Sequence, residues 1–95
     1  MTLTSEQRGA LERIIDETVK HSGEILKAVR NPNLDLHQAI QNDDDYTVGF
    51  AHGFIIAAFS QRIRNDPDFM DKLLESLDIL YRRTPEIKKA IFDQG

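Results

Sequence analysis

One apolar segment, residues 46–63, restricts the fold of this chain more than any other feature, because no Asp, Glu, Lys or Arg occurs in it before Arg62. Its most apolar part, Tyr46 to Phe59, is fourteen residues long and is interrupted by His52, whereas a bilayer span needs about 20 apolar residues. One broad apolar face appears on a helical wheel of this segment: Val48, His52, Ile55, Ile56, Phe59 and Ile63. A helix that is apolar over most of its circumference must be covered on several sides, so we expect this helix at the centre of the fold or of an oligomer.

A ridge of small residues adjoins this apolar face, and beyond the ridge lie Phe50 and Phe54. The ridge consists of Gly49, Gly53, Ala57 and Ser60. Residues at this spacing line up on a helix, and their lack of bulk permits a second backbone to approach closely. Glycine inside a helix costs up to about 1 kcal/mol relative to alanine, so two of them indicate a packing reason. Two partners for the ridge stay open: another helix of the same chain, or a second copy of the chain.

Capping and breaking signals divide the rest of the chain into helices. Thr4 and Gln7 form a capping-box pattern, and apolar residues at three- and four-residue steps predict one long helix over about 5–30. A short helical turn is predicted near 36–41, a helix over about 67–82 after Pro67, and a short last helix after Thr84. No segment alternates with period two. The prediction is an all-α, single-domain bundle of four to five helices over 1–95, in which the 5–30 and 67–82 helices pack on 46–63.

Composition excludes several classes of function. The formal net charge is −4, which is the wrong sign for a protein that wraps duplex DNA or binds an anionic membrane. The absence of cysteine excludes disulfides, thiolate zinc sites and cysteine nucleophiles. The N-terminal sequence has neither the apolar core of a secretion signal nor the acid-poor pattern of a transit peptide, so a cytoplasmic protein is expected.

Few residues are candidates for chemistry. His52 lies among aliphatic side chains, and we interpret it as a buried, neutral, hydrogen-bonded residue of the core. Asp43, Asp44 and Asp45 could hold Mg²⁺ or Ca²⁺, but consecutive side chains project in different directions, so we expect them to cap and charge the start of the next helix. Histidine-metal, nucleophile-elbow and phosphate-loop motifs do not occur. No catalytic residue, cofactor or metal is therefore predicted.

These observations predict a non-catalytic interaction or regulatory module that self-associates as a homodimer or binds a protein partner. Its candidate interface comprises Gly49, Phe50, Gly53, Phe54, Ala57, Ile79 and Phe92. Ile79 is included because it falls on the polar side of its helix, and Phe92 because it lies off the Ile87/Ile91 stripe. A nucleic-acid-associated regulator is the alternative, with a basic patch of Arg82, Arg83, Lys88 and Lys89. A small metal-dependent enzyme or metal binder built on the aspartates and His52 is the third possibility.

Overall fold

A computed structural model describes residues 2–30 and 43–93 of the chain. Within these residues the chain forms five α-helices. The helices are α1 (Ser5–Lys20), α2 (Ser22–Val29), α3 (Asp43–Ile63), α4 (Phe69–Arg82) and α5 (Thr84–Phe92). No strand occurs within these two ranges, and the all-α prediction is confirmed. The turn predicted near 36–41 lies outside the described residues. The helix predicted over 46–63 begins three residues earlier, at Asp43.

The start of α1 follows the sequence signal. The Thr4 hydroxyl accepts from the Gln7 amide at 3.0 Å, and the Gln7 side-chain oxygen accepts from the Thr4 amide at 3.1 Å. This is the predicted capping box, and it satisfies two backbone donors that the first turn of a helix leaves unpaired.

The prediction of one helix over 5–30 is wrong, because the helix breaks at His21. The His21 backbone has φ −101° and ψ 18°, which separates α1 from α2. The two residues after His21 both favour this break. The Ser22 hydroxyl donates to the Val19 carbonyl at 2.8 Å, and such back-bonding bends helices. Gly23 is also a weak helix former.

The core lies against one side of α3, which contacts all four other helices. Its buried aliphatic and aromatic side chains come from all five described helices. They include Leu11, Ile15, Leu26, Ile55, Phe59, Ile63, Leu80, Ile87 and Ile91. Val48 is buried with them, while Ile56 is partly buried at the edge of the cluster. The predicted apolar face of the central helix is therefore the core face of the fold.

The side of α4 that faces the core differs from its most apolar side. The prediction that Ile79 belongs to an exposed interface is therefore wrong. Lys72, Ser76, Ile79 and Leu80 point inward, and Ile79 is only 8% exposed. The Lys72 ammonium is bonded to Asp66 at 2.6 Å and lies 3.5 Å from Asp68, so its charge is compensated where it enters the protein. Ile79 therefore belongs to the chain's own core and not to an exposed interface.

Candidate interaction surface on the central helix

One side of α3 is left uncovered by the other helices that the structure describes. On this side Phe50 is 48% exposed and Phe54 is 54% exposed. The exposed residues on this side are Tyr46, Gly49, Phe50, Gly53, Phe54 and Ala57, which we call the α3 face. The expectation that this helix is covered on several sides is met only on its core side. A mid-helix surface of aromatic and small residues without a charged side chain is unusual for contact with water.

The small residues of the α3 face have open space in front of them. Among the residues that the structure describes, a Cβ atom added at Gly49 or at Gly53 would meet no other group within 4 Å. Close packing of this ridge against another helix of the described chain is thus contradicted. The reason is that the core forms on the opposite side of α3, where the bulky aliphatic residues Ile55, Phe59 and Ile63 lie. A second copy remains as the ridge's possible partner.

An apolar groove runs along one flank of the α3 face. It encloses about 560 Å³ between α3 and the α1–α2 pair. Phe50, Phe54 and Ala58 form one wall, and Ile14 and Ile25 form much of the other. Charged side chains occur at the groove as well, namely Arg13, Glu17 and Arg62. The sequence analysis missed this groove, because helical periodicity does not show which helices lie side by side.

A second exposed apolar strip borders the other flank. Met70, Leu74 and Tyr81, which we call the α4 strip, are all more than half exposed. The Tyr81 ring lies 5.8 Å from the ring of His52 on α3, so the strip continues from the edge of that helix. The sequence analysis did not single out these three residues as exposed. A signal for this orientation was present in the sequence at Lys72. Asp68 and Asp66 precede it by four and six residues and compensate its charge where it enters the protein.

His52 is a hydrogen-bonded residue at the edge of the core. Its Nε2 lies 3.0 Å from the Thr84 hydroxyl, which joins α3 to the start of α5. Partial burial lowers the pKa of His52 below its ordinary value, because removal from water disfavours the charged ring. Tyr81 contributes a ring contact to His52, while the hydrogen bond goes to Thr84.

The basic patch is largely neutralised by nearby acids. Arg83 is bonded to Asp16 at 2.7 Å and also pairs with Glu86, so its guanidinium ties α5 to α1. Arg82 pairs with Asp78 at 2.9 Å. The remaining lysines are exposed, and the ammonium of Lys88 lies 6.0 Å from the ring centre of Phe92. Two of the four cations are thus committed to intrachain ion pairs, which weakens the case for phosphate binding.

The three aspartates lie within the first turn of α3 and not before it, because the helix begins at Asp43. The predicted capping role falls on side chains outside the described residues, because those of Asp43 and Asp44 are not described, and it stays a prediction. Within 2–30 and 43–93, His, Asp and Glu side chains form no group of three that could hold a metal ion.

Comparison with protein-family models, with curated proteins and with solved structures finds no match to this chain. In the described part of the chain, every helix falls short of the length and hydropathy required to cross a bilayer. The inferences about function therefore start from the surface of α3 and its two flanks.

Proposed function

We propose that this chain is a non-catalytic helical interaction module that self-associates as a homodimer through the α3 face. The observation that carries the proposal is the exposure of Phe50 and Phe54 beside two glycines with open space in front of them. The free energy of the system falls when a partner removes apolar side chains from water. A backbone that lacks Cβ atoms allows that partner to come close.

The exposed area is of the right size for a dimer of a small protein. An aromatic side chain has roughly 200 Å² of surface, so Phe50 and Phe54, each about half exposed, leave about 100 Å² apiece in water. Tyr46 and the α4 strip raise the apolar total to the order of 600 Å². A stable interface buries about 800 Å² on each partner, and polar atoms at its rim supply the remainder.

Shape and apolar burial would supply the affinity of this interface, and the charges around it would supply selectivity. Arg13, Glu17 and Arg62 lie at the groove on one flank. The other predicted surface, around Phe92, is smaller, because Ile79 is buried in the core. No second function is favoured by a comparable observation.

The test is a pair of matched substitutions, Phe54→Asp and Phe92→Asp, with mass measured by light scattering. Both side chains are about half exposed and both substitutions introduce one carboxylate. Phe54→Asp would bury a charge in the proposed interface, so we expect its dimer to dissociate at least about tenfold more readily. Phe92→Asp should retain the wild-type mass. The opposite result would move the interface to α5 and overturn the proposal. Circular dichroism of both variants establishes that they remain helical.

A further inference from the structure

We infer that the groove between α3 and the α1–α2 pair binds the anion of a medium-chain fatty acid, with the alkyl chain between the apolar walls and the carboxylate at Arg13 and Arg62. This inference goes beyond the proposed self-association and does not depend on it. The groove encloses about 560 Å³ and its walls are mostly apolar. Both properties are typical of sites for small molecules. The charged residues at the groove determine which class of small molecule it accepts.

Two arginines at the groove carry charges that the described part of the chain leaves unpaired. Among the residues that the structure describes, the guanidinium groups of Arg13 and Arg62 form neither an ion pair nor a hydrogen bond. Arg83, by contrast, pairs with Asp16 and Glu86. A guanidinium presents N–H donors in a planar fork that matches the two oxygens of a carboxylate. A carboxylate at this groove would therefore complement both charges.

The two arginines lie at the same end of the groove. The Gln7 side-chain nitrogen donates to Oδ2 of Asp66 at 2.9 Å, so the start of α1 lies beside the end of α3. Arg13 lies six residues after Gln7, and Arg62 lies four residues before Asp66. Both are thus within about 9 Å of this contact along the chain direction of their helices. One carboxylate can approach both guanidinium groups at this end.

The middle of the groove suits an alkyl chain. Ile14 and Ile25 on one wall and Phe50 and Phe54 on the other are apolar. The Thr18 hydroxyl, which also belongs to the lining, donates to the Ile14 carbonyl at 2.8 Å, so it is already paired. The free energy falls with each methylene group of a ligand that leaves water for such a surface.

The direction and length of the ligand follow from the same lining. Glu17 and His21 lie farther along α1, with the Glu17 carboxylate 3.5 Å from the His21 ring. The charge of Glu17 disfavours a carboxylate beside it, so the headgroup belongs at the arginine end. Phe50 and Ala58 are eight residues apart on α3, which corresponds to about 12 Å. An extended chain of about ten carbons covers that length with carbon–carbon bonds of about 1.5 Å.

Isothermal titration calorimetry with decanoate tests the inference, and 1-decanol is the uncharged control of the same chain length. Below the concentration at which decanoate forms micelles, we expect saturable binding of one decanoate per chain. Arg62→Gln should weaken decanoate binding by about fivefold, because a charge-assisted contact to the carboxylate is lost, and should leave decanol binding unchanged. Arg64→Gln is the matched control, because Arg64 is exposed nearby and does not line the groove. It should retain the wild-type affinity.

NMR locates the bound ligand. Decanoate should shift the methyl signals of Ile14 and Ile25, which line the groove, more than those of Leu74 on the α4 strip. Larger shifts at Leu74 would place the ligand on the α4 strip and overturn the inference.

Three calorimetric results would also overturn it. An absence of saturable decanoate binding would leave the groove to a second copy or to another segment of this chain. Equal affinities of the wild type and Arg62→Gln for decanoate would separate the carboxylate from that arginine. Tighter binding of decyltrimethylammonium, a cation of the same chain length, would show that Glu17 selects the ligand. The mass of the chain without decanoate tests the proposed self-association separately, so either proposal can fail while the other stands.

Discussion

The ammonium nitrogen of Lys72 lies 2.6 Å from Oδ2 of Asp66, and this ion pair compensates the charge of a lysine on the side of α4 that faces the core. Lys72 is only 8% exposed. With its charge matched by Asp66, the lysine can turn inward with Ile79, and the apolar residues on the far side of the helix turn outward. The ion pair and the exposed α4 strip therefore lie on opposite sides of the same helix.

The first prediction is that acid weakens the fold through Asp66. Hydrogen bonds from Lys72 and from Gln7 lower the pKa of Asp66 below its ordinary value. A carboxyl group with a lowered folded pKa contributes stability that is present above the unfolded pKa and is lost as the pH falls through the folded one. Asp66→Asn should therefore lower the melting temperature at pH 7 and reduce its decline between pH 5 and pH 2, a window set by an ordinary Asp pKa of about 3.9. Equal slopes for the variant and the wild type would contradict this role.

The second prediction concerns the capping box of α1. Thr4→Ala removes the hydroxyl that accepts from the Gln7 amide at 3.0 Å, and the loss of such a cap costs about 1 kcal/mol. In a domain of this size that loss lowers the melting temperature by roughly 4–8 °C. Ser5→Ala is the control, because Ser5 lies one residue inside the helix and is exposed. Equal melting temperatures for the two variants would refute the cap's contribution.

The third prediction is that His52 weakens the folded state at mildly acidic pH. Burial lowers the pKa of His52 in the folded protein, so the unfolded chain takes up the proton first as the pH falls. The stabilisation is present above the unfolded value of about 6.5 and is lost as the pH falls through the lower folded value. Proton NMR of the His52 ring measures that value directly. A midpoint at or above 6.5 would disagree with the observed burial.

The fourth prediction separates the two effects of glycine in α3. Gly53→Ala should stabilise the monomer by up to about 1 kcal/mol, because alanine is the better helix former and its Cβ meets no group of the described residues within 4 Å. The same Cβ would hold two packed helices apart, so the dimer should weaken. Gly9→Ala is the control in α1, where the added Cβ makes only an ordinary contact with Arg13 at 3.6 Å. Gly53→Ala with unchanged dimer affinity would remove Gly53 from the helix contact.

Local signals along the sequence predicted most of the helical architecture. The Thr4–Gln7 box and the proline after Asp66 mark helix starts within a few residues, since caps and breaks depend only on near neighbours. The core side of the central helix also followed from its bulky aliphatic residues. The candidate interface residues Phe50 and Phe54 are exposed, which makes them available, although contact with a partner stays a prediction.

The remaining features depend on contacts between distant parts of the chain. The groove lies between α3 and the α1–α2 pair, and a periodic apolar pattern running through His21 conceals the break between those two helices. Ile79 is buried on the same side of α4 as Lys72, which pairs with Asp66. Helical periodicity identifies the apolar side of a helix. Which side of α4 faces the core depends on how α4 packs against its neighbouring helices.

The central claim is that the α3 face is buried against a second copy, and the mass of the unmodified chain in solution tests it most directly. Sedimentation equilibrium over a dilution series from the millimolar to the low micromolar range measures that mass. We predict twice the chain mass of 10.9 kDa at the highest concentrations, with a fall toward the single-chain value on dilution. A mass of 10.9 kDa at every concentration would contradict the account.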